Sequence, residues 1–259
     1  MQLLFLVLLS ILNLGVVAQP SQTPRTAAGS DHVSIRPRKI TIARTPKLQR
    51  DFPNKKRATV TYPVISGLRD PVVLRRVRSL LEFNNIFGYT LKEYGEDTWL
   101  DEFDYEVNHN SDSLLDITFR QSGSGAYPDE HQKHFLINLK SGRLVKAADA
   151  FQSGRLAALA QAVDQKLQDE LKEDEAAVAS SKHSDPQDVE SIKQAHENLK
   201  FEVSNLDNFS VGPRGVTFLY EAGLPHVIQA LAPAGRYFFS YAELKPYINP
   251  DGPLAHFVR

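Results

Sequence analysis

The chain contains no cysteine, one methionine and one tryptophan in 259 residues. Without a thiol there is no disulfide scaffold, no thiol nucleophile and no thiolate metal site. An excess of one charge is also missing, since 30 Lys and Arg meet 31 Asp and Glu. The balance is not uniform along the chain. Residues 19–57 hold ten Lys/Arg and two Asp, whereas 58–259 hold 20 Lys/Arg and 29 Asp/Glu. An acidic globular part behind a basic segment argues against a nucleic-acid partner. Long apolar runs are scarce too. Only Leu3–Val17 is uncharged and apolar apart from Ser10, Asn13 and Gly15. At about fifteen residues it falls short of the roughly twenty that cross a hydrocarbon core. Its length suits the h-region of a secretory signal, with small residues at Val16-Val17-Ala18 before Gln19-Pro20. A signal peptide is therefore expected over 1–18, cleaved after Ala18. The product is expected to be exported, periplasmic or extracellular, with no transmembrane helix in the mature chain. With no cysteine after the h-region, lipoprotein anchoring is excluded.

The rest divides by composition. Residues 19–57 contain Gln-Pro-Ser-Gln-Thr-Pro, Arg36-Pro37-Arg38-Lys39 and Lys55-Lys56-Arg57 with few apolar residues. They read as a basic, disordered tether that is either a solvated linker or a contact for anionic polymer or lipid. From Ala58 a domain is expected to run to 259, divisible into subdomains 58–150 and 200–248 joined by helices at 151–199. Thr59–Ile65 is β-branched and aromatic and predicts a strand. Asp70-Pro71 is a helix start, and Val73, Leu74, Val77, Leu80 and Leu81 follow at helical spacing. Phe103/Tyr105/Val107, Leu115/Ile117/Phe119 and His134–Leu139 alternate with polar residues, as in a meander with one face on a core and one on solvent. Between them Gln121–Gln132 reads as a glycine-rich loop. Leu156, Leu159, Ala160, Val163, Leu167 and Leu171 predict a long amphipathic helix whose acidic run Asp169–Glu175 lies on its wet face. A more polar helix is expected at Asp188–Leu199. Strands are expected at Phe201–Val203, Phe209–Val211, Val216–Tyr220 and Arg236–Ser240, with a short helix at Tyr241–Lys245. The fold class is α+β, antiparallel sheet with helices packed on one side.

Catalytic constellations are thin. His131 and His134 lie beside Asp129 and Glu130, yet a three-residue spacing on a strand sends two side chains to opposite faces. The acids Asp104 and Glu106 share a face, and the simplest reading of that face is solvent. No nucleophile elbow and no phosphate-cradling loop occurs. The expectation is a non-enzyme with no catalytic residue, no metal and no cofactor. A binding surface is better supported, because aromatic faces with a few fixed polar groups grip glycans and proteins. The candidate ligand-binding residues are Gly125, Tyr127, Pro128 and Asp129 in the glycine-rich segment, and His226 after the Gly223 turn. Trp99 reads as a core anchor or a ligand platform.

Several stretches are similar in order to a known family. They are Gly125-Ala126-Tyr127-Pro128, Phe135 to Leu144, Ala148-Asp149-Ala150-Phe151, Phe209-Ser210-Val211, Gly215 to Tyr220, Gly235 and Ser240 to Leu244. Together they resemble the extracytoplasmic domain of the RsiV type over roughly residues 58–248. The resemblance implies a domain outside the cytoplasmic membrane, found in anti-sigma factors, beside peptidoglycan deacetylases and as exported proteins. In anti-sigma members it binds lysozyme. The chain departs from them in having no sigma-binding segment, no spanning helix and no deacetylase domain. It carries Tyr127 where the family often has His, and Gln229–Ala234 has no Pro-Tyr pair. The expected role is a non-catalytic cell-envelope module whose partner is a lysozyme-like protein or a peptidoglycan fragment. One alternative is a peptidoglycan hydrolase or deacetylase, metal-assisted through Asp129, His131 and His134. Another is a structural envelope protein docked through its basic arm.

Overall fold

A computed structural model describes residues 31–125, 127–181 and 185–259, and the backbone alone of His226. The expected signal peptide at 1–18, and the tether as far as residue 30, lie outside the described residues. The rest of the expected tether is part of the fold. Ser34–Ala43 is a ten-residue strand, β1, followed by the short helix α1 (Pro46–Asp51) and strand β2 (Arg57–Ser66). β1 and β2 pair antiparallel over their whole lengths, from Ser34↔Ser66 to Ala43↔Arg57. Val33, Ile42, Ala58 and Val60 are buried there.

Asp70 accepts from the amides of Val72 and Val73, and Pro71 opens helix α2 (Pro71–Leu80), which buries Val73 and Val77. Two short helices follow, α3 (Phe83–Phe87) and α4 (Leu91–Gly95). The three helices fill a crossover, so strand β3 (Leu100–Ser111) returns parallel to β2. Asp112 and Ser113, both at positive φ, make the two-residue turn into β4 (Leu114–Ser124). β5 (Pro128–Asn138) and the two-residue β6 (Arg143–Leu144) complete a six-stranded sheet in sequence order. The expected loop at Gln121–Gln132 is therefore almost all strand, with register held from Gln121↔His131 to Ser124↔Pro128. Its polar and glycine residues weaken the apolar alternation without breaking the ladder.

The turn of helix α5 (Ala147–Ala150) leads to the long helix α6 (Leu156–Ser180) and then α7 (Pro186–His196). Strands β7 (Phe209–Gly212), β8 (Gly215–Leu219) and β9 (Arg236–Ser240) form a second antiparallel sheet, and α8 (Tyr241–Leu244) follows it. The expected strand at Phe201–Val203 is absent; its end opens a 3-10 turn over Val203–Asp207. Phe201 is buried against the ring of Phe218 rather than in a ladder.

Two hydrophobic cores result, on opposite faces of the six-stranded sheet. α2, α3, α4 and the faces of β2–β5 carrying Val60, Phe103, Leu115, Ile117 and Phe119 build one. The other joins α6 and the three-stranded sheet, through Leu159, Val163, Phe209, Phe218 and Tyr237, to Leu114 and Leu136. Neighbouring residues of β4 thus serve different cores, which is the α+β class with β4 and β5 covered on both faces at one end.

Candidate functional site

Alternation reads the face of β4 carrying Asp116, Thr118 and Arg120 as solvent. The second sheet covers its Asp116 end instead, leaving Thr118 half-buried and Arg120 exposed. Asp116 is fully buried, and its carboxylate accepts three hydrogen bonds. One comes from His134 Nε2 on β5 at 2.7 Å, one from Asn108 Nδ2 on β3 at 2.7 Å and one from the Val211 amide of β7 at 2.7 Å. Asn108 Nδ2 also reaches Thr118 Oγ1, at 2.9 Å. A buried carboxylate needs this degree of satisfaction, because an unpaired one is costly to remove from water. The same contacts tie the two sheets together and hold the His134 ring, whose side chain is only 7% exposed.

His134 stands where two adjoining hollows meet, of about 470 and 500 Å³. Gln132, His134, Asn208, Leu219 and Glu221 line both, so they form one trench between β5 and the edge of the smaller sheet. The first hollow adds Asn108, Thr118, Ser210 and Gln229, a set of neutral amides and hydroxyls, with Tyr220 and Arg236. A larger hollow of about 610 Å³ lies elsewhere, beside α2, and is lined by Arg76, Arg143, Leu80, Phe135 and Leu144. It is open and contains none of the candidate ligand-binding residues.

The far wall of the trench is the connection 221–235 between β8 and β9. Helix α6 pins it: Glu170 accepts from the Ala234 amide at 2.7 Å and from the Tyr237 hydroxyl at 2.8 Å. Burial, and then the hydrogen bond to the Glu170 carboxylate, push the Tyr237 phenol up from its ordinary value. From α7, the buried His196 donates through Nε2 to the Leu231 carbonyl at 2.9 Å, with Glu175 Oε1 3.3 Å from its other nitrogen. Glu170 and Glu175 fall in the acidic run expected on the wet face of α6. At the foot of the wall Gly235, at φ +65°, lies so close to Tyr220 that a Cβ would sit 2.2 Å from its carbonyl oxygen.

The predicted residues fall in two places. Gly125, Tyr127 and Pro128 sit at the β4–β5 hairpin end, where Tyr127 is 70% exposed and the Gly125 amide donates to its carbonyl at 3.2 Å. Asp129 sits one step inside, with His131 Nε2 at 3.3 Å. The glycine with no room for a side chain is Gly123, since a Cβ there would lie 2.0 Å from the Trp99 carbonyl oxygen. Trp99 is half-buried and packs its ring against His131 at 5.4 Å between centroids. His226 begins a 3-10 turn over His226–Leu231 in the trench wall. Gly125, Tyr127, Pro128 and Asp129 line neither hollow; their neighbours Glu130 and His131 do, together with Leu224 and Gln229 of the wall. His131 and His134 take opposite faces of β5, the first on Trp99 and the second on Asp116. Among the described residues, no group of three metal-ligating side chains converges. Asp104 and Glu106 are exposed, and Glu106 pairs with Arg120 at 2.8 Å.

Sequence reasoning missed Asp116, Asn108 and Asn208 as site residues, and weighed His134 only as a metal ligand beside Asp129 and His131. One signal was present: Leu114 and Leu136 share the supposedly wet faces with Asp116 and His134, and two leucines there call for a cover.

No family model matches the sequence, and no curated protein does. Solved structures do resemble it. A member of the DUF3298 family from Bacteroides fragilis aligns with a TM-score of 0.54 at 13% identity, covering 89% of this chain and 98% of that one. A DUF3298 family protein from Pseudomonas aeruginosa aligns with a TM-score of 0.47 at 10% identity, covering 85% and 94%. In fold, the chain is similar to the Bacteroides DUF3298 protein, a member of a bacterial family of unknown function.

Proposed function

We propose that the protein is a non-catalytic, extracytoplasmic binding module whose trench takes a wall-derived glycan. The observation that carries this is the lining: Asn108, Thr118, Gln132, Asn208, Ser210 and Gln229 present neutral donors and acceptors around a rigidly held His134. N-acetylated sugars offer hydroxyls and amides of the same kind and carry no charge for a deep ion pair to meet. The volume falls within the range of small-ligand sites. The exposed Tyr127, at the hairpin end of β5 beyond Glu130, supplies a flat face of the sort sugar rings stack on. The RsiV-type resemblance and the expected export place such a ligand within reach, and they also make a lysozyme-like protein the partner to set against it.

The test is direct binding of residues 19–259, immobilised, to defined muropeptides and to lysozyme. Micromolar binding of muropeptides is expected, weakened about tenfold by Tyr127→Ala or Asn208→Ala, the size of one lost stacking or hydrogen-bonding contact. Binding to lysozyme alone would replace the glycan with a protein partner. Hydrolysis or deacetylation of peptidoglycan, lost on changing one carboxylate, would overturn the non-catalytic reading.

A further inference from the structure

The basic segment is a built surface. Between Ser34 and Arg57 the chain has nine Lys/Arg and one Asp. Arg44 is buried, its guanidinium donating to the carbonyls of Tyr94 and Leu100, and Lys55 is half-buried against Ser124 and Asp101. The other seven are exposed, and none forms an ion pair among the described residues. They are concentrated on the β1–β2 edge and its α1 tip. Lys47 and Arg50 lie three residues apart on the outward side of α1, while Leu48 and Gln49 turn inward. Lys56 and Arg57 follow as β2 begins, and Lys39 shares the outer face of β1 with Ala43, the register partner of Arg57. At the apex, directly after α1, Phe52 is 47% exposed and is followed by Pro53.

We propose that this edge docks the domain on an anionic lipid surface, with the α1 tip pressed into the headgroups. Unpaired cations alone would suit any polyanion. The exposed phenylalanine at the centre of the tip favours a bilayer, where an aromatic ring gains from the interface and the cations from anionic headgroups. The remainder of the chain from residue 58, with 29 acids against 20 bases, is repelled by the same surface and so fixes the orientation. β5 lies four strands away from β1 in the sheet, about 19 Å at ordinary strand spacing. Lys55 joins the α1 tip to Ser124 at the hairpin end, so docking leaves open the His134 part of the trench, six residues further along β4, rather than the Tyr127 end.

The experiment is flotation of residues 19–259, which keep every described residue and drop the apolar run that would itself enter a bilayer. Vesicles with and without phosphatidylglycerol are compared, alongside soluble polyphosphate. Binding to the anionic vesicles only is expected, and it should be lost when salt is raised to about 0.5 M. At about fivefold per cation, the triple change Lys47→Ser, Arg50→Ser, Lys56→Ser should weaken it about a hundredfold. Phe52→Ser, which leaves the charge unchanged, should weaken it about tenfold. All four sites are exposed, so a thermal melt should show both variants folded. Binding to polyphosphate as well as to vesicles, indifferent to Phe52→Ser, would overturn the lipid assignment in favour of a polymer. No binding to anionic vesicles would overturn the proposal outright.

Discussion

At the scale of single residues, the stability of the sheet-to-sheet junction depends most on Asp116. It is a fully buried charge held by groups from three other strands, so replacing it strands His134, the Val211 amide and Asn108 together. Breaking a buried pair from one side typically costs about 3–5 kcal/mol, and Asp116→Ala should fall in that range by chemical denaturation. Asp116→Asn keeps an acceptor for some of the donors and should cost clearly less. If the two substitutions prove equal and below about 1 kcal/mol, the network adds nothing beyond an ordinary hydrogen bond. The alternation rule placed Asp116 and His134 on water because a polar residue beside a second layer and one beside solvent look identical in a single strand. Only their leucine neighbours on the same face, Leu114 and Leu136, distinguish the two cases.

At the scale of elements, the largest departure from expectation is β1. Its apolar positions Ile35, Ile40 and Ile42, with Val33 just before it, are interrupted by Arg36-Pro37-Arg38-Lys39, so no period survives in the sequence. An edge strand tolerates that composition, because one flank needs no hydrogen-bond partner and the charges remain wet. The strand is integral all the same: it pairs with β2 over ten positions, and the next residue is the buried Arg44. Residues 58–259 alone should therefore lose cooperative thermal unfolding, or melt far below residues 31–259. Equal melting temperatures would return the segment to the status of a tether. Elsewhere the elements were legible where a local rule is strong, as at the Asp70-Pro71 helix start or the heptad-like run of α6. They were not legible where tertiary packing supplies the energy. Gln121–Gln132 has too little apolar content to announce a hairpin, yet its ladder extends one already formed by Leu115–Phe119. Tyr127 and its neighbours stood out as aromatic and glycine punctuation, but they sit at the hairpin end and line neither hollow. The trench itself was not legible, since its two walls are about ninety residues apart and nothing local couples them.

For the molecule as a whole, the two cores share β4 and β5, so a disturbance in either one reaches the other. High pH disturbs both. Burial pushes the Tyr94 phenol, in the core beside α4, up to about 12. Burial likewise raises Tyr237 and Tyr241 in the other core, Tyr237 being raised further by Glu170. Each group keeps its proton in the folded chain beyond the pH at which the unfolded chain gives it up. The stability they lend is thus complete below about pH 10 and is lost as pH rises above it. For Tyr94 the loss runs from about pH 10 to about 12, at roughly 1.4 kcal/mol per pH unit. Denaturation midpoints followed across that window should fall steadily, and Tyr94→Phe should flatten part of the slope. A flat profile would contradict the burial of these phenols.

The free rim of β1 has one more consequence. A ten-residue strand at the end of a six-stranded sheet, with one flank unpaired among the described residues, is a template on which another copy could zip up and begin a fibre. Like charges at Arg36, Arg38 and Lys39 repel a second copy laid along it, and Pro37 has no amide to offer. The residues that disguise the strand in the sequence are those that keep the folded protein from aggregating through it.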